Sequence, residues 1–298
     1  MRRVVFSSHA TLMRKRRTQR AEQRTTLVAP VVALARFVFS VLFPSDCRLC
    51  GLPLVNISRL PVCEKCLASL QPIRAPQYAQ CGERLMPAQL LVGDRRCHGC
   101  HKFQPDVDRA VPYGEYAGSV RGVIHLLRYD SVMPTAPVLG RLPAGGVRHL
   151  DFTEDCNALL VAVPLRSSKR RERGFNQSEP IASSAAKQLA HRVEIAHGLK
   201  RQRAAHPQAG LTRDERIGNM GDVFGVTDPA RVKGRTVIVV DEAMTAGAAV
   251  SECARGFKKA GAERVFAATV AHTLKGAQLP ETAQSQEEVG ETVEAVSV

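Results

Sequence analysis

Three short apolar runs of strand length punctuate the second half of the chain. Ala158 to Val163 stops at Pro164, Arg235 to Val240 lies between Gly234 and the acidic pair Asp241 and Glu242, and Arg264 to Val270 completes the set. Each is apolar almost throughout rather than alternating, the pattern of a strand buried on both faces. Between the last two runs, Val250, Cys253, Ala254 and Phe257 recur at helical spacing within Ala248 to Ala260, and Gly261 follows as a stop. Strand, loop, helix and strand in that order predict an α/β fold with a parallel sheet covered by helices on both faces. Farther upstream, Val120, Val123, Ile124 and Leu127 predict another helix in which His125 packs rather than reacts.

Near the start, Val31, Leu34, Ala35, Val38 and Leu42 predict an amphipathic lead-in helix over 27–43. Its 17 residues are interrupted by Pro30, Arg36 and Ser40, short of the ~20 apolar residues that span a bilayer, so no transmembrane segment is expected. Residues 1–26 lack any apolar period and read as a disordered basic arm, and residues 276–298 as a disordered acidic tail. Between them the expected division is a cysteine-rich module over 44–103 and an α/β domain over 106–275.

Charge changes the picture by its distribution. The formal net charge is +14, with +7 in residues 1–24 and −5 in residues 281–298, which leaves +12 on the rest of the chain. A core that basic suits anionic partners such as nucleotides, phosphosugars or nucleic acid. Trp is absent and aromatics make up 5%, which argues against a surface that holds single strands mainly by stacking bases on aromatic rings. Val163 to Arg216 carries twelve Lys or Arg against five acids, densest from Arg166 through Lys169, Arg170 and Arg171 to Arg173. A charge run of this kind is either a solvated face or a set of phosphate contacts.

Seven of the nine cysteines fall between 47 and 100, mostly in C-x-x-C pairs, a metal-ligating pattern that fits a reducing cytoplasm better than a disulfide scaffold. Cys47 and Cys50, then twelve residues, then Cys63 and Cys66 have zinc-ribbon spacing: four thiolates that close a tetrahedron leave no open position, so the expected Zn2+ is structural. A second unit, Cys81 with Cys97 and Cys100, has three cysteines, and Tyr78 stands where the fourth belongs. It reads either as a second zinc site completed by a residue such as His98 or His101, or as a site that has been lost.

The segment Asp241, Glu242, Ala243, Met244, Thr245, Ala246, Gly247, Ala248 and Ala249 joins a strand to a helix. At the carboxyl end of a parallel strand such a turn opens into the ligand crevice, and the helix aims its unsatisfied N–H groups there. Small residues let a phosphate approach the backbone, and the two acids suit ribose hydroxyls. A small-residue turn after an acid-terminated strand is also an ordinary connection in α/β proteins.

Strand, two acids, Thr-x-Gly turn and helix resemble the phosphoribosyl pyrophosphate (PRPP) signature of type I phosphoribosyltransferases. Val163, Pro164, Leu165 and Arg166, followed by Arg173, Gly174, Phe175, Asn176 and Gln177, resemble the hallmark of the ComF family, competence-associated proteins that include the GntX-type members. The cysteine double ribbon, Phe43-Pro44, His125 to Tyr129, and Leu211, Arg216, Asn219 and Phe224 also match that pattern. The resemblance implies PRPP binding with Mg2+, transfer of a pentosyl group, and an association with DNA uptake and its machinery. It also implies that Val163 to Arg166 form the diphosphate turn, that Asp241, Glu242 and Arg173 are catalytic, and that the loop beyond Arg166 is a mobile hood. Glu242 replaces the family's second Asp, and Ala246 and Ala249 replace two Thr. Each missing hydroxyl forfeits a bond to a charged phosphate, ~1.5 to 3 kcal/mol, so the pair weakens PRPP by roughly 10²-fold unless compensated. The alternative is a catalytically weakened protein that uses the phosphate pocket to bind single-stranded DNA.

Overall fold

The computed structural model describes residues 45–54, 58–78, 80–85, 97, 100, 105–150, 158–189, 193–197, 199–201, 224–245 and 247–273. The predicted arm, lead-in helix and tail lie outside these residues. Contacts divide the described chain between Ser69 and Leu70 into two compact units. The first holds one short helix, α1 (Glu64–Ala68), and the four cysteines 47, 50, 63 and 66.

The larger unit runs β1 (Arg109–Glu115), α2 (Gly118–Arg128), a 3-10 turn (Met133–Thr135), α3 (Ala136–Val147), β2 (Ala158–Ala162), α4 (Ser167–Arg173) and α5 (Ser178–Leu189). It continues through β3 (Val193–Ile195), β4 (Leu199–Arg201), β5 (Phe224–Val226), α6 (Pro229–Val232), β6 (Thr236–Met244), α7 (Ala248–Lys259) and β7 (Arg264–His272). Five strands form one sheet in the order β1-β7-β6-β2-β3, and every pairing is parallel. The two remaining strands, β4 and β5, make a separate antiparallel pair.

The apolar runs become the sheet's interior because both faces are covered. Leu159, Val161, Val237, Val239, Val265 and Ala267 point toward Val250, Cys253, Ala254 and Phe257 of α7, all buried. Their neighbours Leu160, Ile238 and Ala268 point the other way by strand alternation, and α3 and α5 pack against β1, β7, β2 and β6. The parallel α/β architecture expected from the strand pattern is therefore the one the chain adopts. Two boundaries differ from expectation. β6 continues four residues past Val240, because Asp241, Ala243 and Met244 stay in register with Thr269, Ala271 and His272 of an equally extended β7. Ser167 to Arg173, expected as a loop, is a helix with no buried residue, ended by Gly174 at φ 76°; without an apolar stripe it left no periodic signal.

Strand order places a switch point in mid-sheet: from β2 the chain moves outward to β3 and from β6 it moves the opposite way to β7. Connections diverge there, so a crevice opens outside the carboxyl ends of β2 and β6. Helices α3 and α5 meet across Gly140, where an added Cβ would lie 2.5 Å from Ser184 Cβ and 2.7 Å from the Ile181 carbonyl. Gly140→Ala must push the two helices apart, and a loss of about 1 to 3 kcal/mol is expected in denaturant unfolding.

Candidate functional site

The crevice at the switch point is a cleft of about 810 Å³. Val163, Pro164, Leu165 and Arg166 line it from the end of β2, Asp241, Glu242, Thr245 and Ala249 from the end of β6 and the turn into α7, and Arg173 and Asn176 from the segment between. Arg128, Ser168, Lys169, Arg171, Glu172 and Ser178 complete the wall. The turn after β2 and the acid pair, assigned from separate parts of the sequence, thus face one cavity. Ala246 lies outside the described residues. Gly247 adopts φ 71°, a left-handed conformation that starts α7 and suits glycine. Ala243, Met244, Ala248, Gly174, Phe175 and Gln177 are close in sequence to the lining without contributing to it.

The Arg-Gly-Phe-Asn-Gln segment acts as a clasp. Asn176, buried, donates from Nδ2 to the Val163 carbonyl at 2.9 Å, and its Oδ1 accepts from the Ser178 amide at 3.3 Å. This ties the start of α5 to the end of β2. Gln177, 1% exposed, donates from Nε2 to Glu242 Oε1 at 3.0 Å. Ser178 Oγ stands 2.8 Å from Asp241 Oδ1 and 2.9 Å from Glu242 Oε2, one hydroxyl proton between two carboxylates. Arg128 Nε approaches Glu242 Oε1 at 4.0 Å.

These partners divide the acid pair. Burial, then the neighbouring Glu242 charge, push the Asp241 carboxyl well above the ordinary range. Burial also opposes charge on Glu242, but the hydrogen bond from Asp241, the Arg128 guanidinium, Gln177 and Ser178 outweigh it and hold Glu242 below its usual value. The two carboxyls therefore titrate as a coupled pair, with Asp241 the member pushed up and Glu242 the member held down. On the facing wall, burial and then the Arg128 charge work against the Arg173 cation. Arg173 Nε and Nη1 are buried without a hydrogen-bond partner among the described residues, an arrangement that an incoming anion relieves.

Arg128 and Ser178 were not legible as site residues. Arg128 ends α2 and stood out only within the His125-to-Tyr129 stretch of the family pattern, with no role attached, and Ser178 carries no signal beyond its place next to Gln177.

The first cysteine cluster fits a metal by geometry. Four sulfurs each ~2.3 Å from a tetrahedral zinc stand about 3.8 Å apart; here Cys47 and Cys66 are 3.9 Å apart, Cys50 and Cys63 3.7 Å, and all four lie within 4.8 Å of one another. Burial raises the Cys47 thiol, but amides of Cys63, Leu49 and Cys50 reverse this and bring it down to about 6, while burial pushes Cys66 up to about 12. Loading a metal there expels protons.

The second cluster repeats the first knuckle bond for bond. Cys47 N donates to Leu52 O at 2.8 Å, Gly51 N to Cys47 O at 2.7 Å and Leu54 N to Ser45 O at 2.8 Å; Tyr78 N donates to Glu83 O, Gly82 N to Tyr78 O and Leu85 N to Pro76 O at the same three distances. Gly51 and Gly82 share φ 71°. Tyr78 occupies the place of Cys47, buried with Cys81, Cys97 and Cys100. Those three sulfurs lie within 4.8 Å of one another and offer a metal three ligands. His98 and His101 lie outside the described residues.

The raised Asp241 has a consequence for stability. The folded chain binds this proton more tightly than the unfolded chain, so stability falls as pH rises from about 3.8 through the raised value. Partial exposure toward the cleft blunts the effect. Asp241→Asn is expected to flatten the decline between pH 4 and 7.5 and to raise the melting temperature at pH 7, as followed by circular dichroism.

Comparison with known proteins follows the same lines. Residues 176–294 match the family described as phosphoribosyl transferase domain. The DNA utilization protein YhgH of Escherichia coli K12 is 28% identical over 233 residues, 78% of this chain and 98% of that protein. Competence protein F of Haemophilus influenzae is 22% identical over 214 residues, 71% of this chain and 90% of that protein. Among solved structures, the B. subtilis glutamine PRPP amidotransferase complexed with ADP and GMP aligns at TM-score 0.33 and 14% identity, over 52% of this chain. Leishmania donovani UMP synthase aligns at TM-score 0.26 and 16% identity, over 50%. This chain spans 34% and 23% of those two structures. The chain is thus similar to a phosphoribosyl transferase domain over residues 176–294, and to the DNA utilization and competence proteins over nearly the whole length of each.

Proposed function

We propose that the cleft binds PRPP and that the protein transfers its phosphoribosyl group to an acceptor in the handling of DNA. The observation that carries this reading is one cleft, at the switch point, in which an acid pair faces a cationic wall. Asp241 and Glu242 take the ribose hydroxyls, Thr245 and the amides of the 246–249 turn take the 5'-phosphate, and Arg166 and Arg173 take the diphosphate. As the bond from the anomeric carbon to the diphosphate breaks, these cations hold the growing negative charge, and the acids hold the sugar in line for the acceptor. Mg2+ bound with PRPP neutralises part of the diphosphate charge. The phosphoribosyl transferase match supports the ligand, and the relatives' names, DNA utilization and competence, support the setting. We place the protein in the cytoplasm, where thiols at both knuckles stay reduced; among the described residues no helix is long and apolar enough to cross a membrane.

A second reading draws on α4, whose exposed Arg170 and Arg171 stand beside Arg166 at the rim. Those cations suit the backbone of single-stranded DNA, with the cleft serving as a phosphate groove and the transfer chemistry weakened. Calorimetry and salt titration separate the two. Under the first reading PRPP with Mg2+ binds, Asp241→Asn abolishes the heat, and Ala249→Thr tightens binding roughly tenfold by returning a hydroxyl donor. Under the second, affinity for oligo-dT falls with log salt, and changing Arg166, Arg170 and Arg171 to Ala flattens that slope by about two units, at ~0.7 per phosphate. No heat at millimolar PRPP ends the enzymatic reading.

We also propose that Cys47, Cys50, Cys63 and Cys66 hold one structural zinc. Metal analysis of the purified chain should find that zinc lost in Cys63→Ser together with solubility, and Tyr78→Cys should add a second equivalent by completing the other knuckle.

A further inference from the structure

Four large apolar side chains are exposed among the described residues, and two of them, Tyr129 at 52% and Met133 at 47%, sit on the turn that follows α2. That turn is held, not loose. The Tyr129 amide donates to His125 O and the Val132 amide to Leu126 O, both at 2.9 Å, and Thr135 Oγ1 donates to Val132 O at 2.7 Å. Between the two apolar residues, Ser131 takes φ 54°, the single non-glycine in the left-handed region among the described residues. Strained backbone that survives in a well-bonded turn points to a functional demand on that turn.

The Tyr129 ring is fixed from behind and from the side. His125 meets it edge-on at 5.0 Å between ring centres, and His125 Nε2 is itself 3.0 Å from Tyr116 Oη. The guanidinium carbons of Arg128 and Arg173 lie 5.3 and 5.7 Å from its centre, within cation–π range. Both arginines line the cleft, so the ring borders the cationic wall while half its surface faces water. A rigid, half-exposed aromatic beside a site for a sugar phosphate is a platform for a flat ring.

We infer that Tyr129 is a stacking shelf for the planar base of a nucleotide whose ribose phosphate lies in the adjoining cleft; this rests on the phosphoribosyl reading above. Among the described residues one aromatic ring is exposed, and a single ring serves a single base, which favours a mononucleotide over a strand that would need a row of such rings. The shelf is therefore a subsite for the nucleobase on the anomeric carbon, as acceptor or as product.

Calorimetry on the full chain with ribose 5-phosphate, AMP, UMP and oligo-dT tests this. AMP and UMP should bind roughly 5- to 100-fold more tightly than ribose 5-phosphate, the range for one stacked base. Tyr129→Leu should erase that difference and Tyr129→Phe should keep it, with ribose 5-phosphate binding alike in all three. Equal affinity for AMP and ribose 5-phosphate in the unaltered chain, or a difference that survives Tyr129→Leu, overturns the shelf alone. If ribose 5-phosphate itself fails to bind, the phosphoribosyl reading falls and takes the shelf with it. Should Tyr129→Leu weaken oligo-dT and leave AMP untouched, the base belongs to a strand and the mononucleotide inference is wrong.

Discussion

Two carboxylates on consecutive residues at the end of a central strand cannot both carry charge in a half-closed cleft unless the fold supplies donors for them. The surroundings of the cleft answer to that requirement. Ser178 and Gln177, at the start of α5, reach the pair. Arg128, at the end of α2, supplies the nearest cation. Asn176 fastens that end of α5 to β2, so the strand carrying the acids and the strand beside it are tied through one side-chain bond to a main-chain carbonyl. Because both acids share these donors, they titrate as a unit, Asp241 pushed up and Glu242 held down.

Much of this was legible in the chain, and the limits have physical reasons. Buried parallel strands announce themselves because both faces are apolar, so Ala158 to Val163 and Thr236 to Val240 stand out, and α7 follows from its stripe. The last four residues of β6 escaped because strand propagation there depends on the register of β7, a tertiary fact, and Asp and Glu are poor strand formers. Helix α4 escaped because none of its side chains is buried. The acid pair, the β2 turn and the Arg-Gly-Phe-Asn-Gln segment were each visible, but only the sheet order brings them to a common cleft. The clasp through Gln177 and Ser178 was invisible because hydrogen bonds across 63 to 65 residues leave no local trace.

The aromatic poverty of the chain acquires a use in the same light. With no Trp and four Tyr, each ring is placed for a reason: Tyr113 donates to the Leu70 carbonyl at 2.8 Å, Tyr116 bonds His125, Tyr78 fills a knuckle, and Tyr129 alone is exposed among the large aromatic side chains described. The other three rings are buried or half-buried, whereas the exposed one stands over cations that line the cleft.

The paired knuckles separate two jobs that metal sites often combine. Matching main-chain bonds and matching glycine turns occur with Cys47 in one copy and Tyr78 in the other, so the bend belongs to the backbone and does not depend on a sulfur at that position. An ion arriving at the first knuckle finds its ligands already gathered and spends little ordering entropy on capture, which favours tight retention. The second knuckle makes the same bend with an aromatic ring in the place of Cys47. A thiol oxidant therefore meets the two copies differently: the first presents Cys50 at the surface, whereas all three sulfurs of the second are buried.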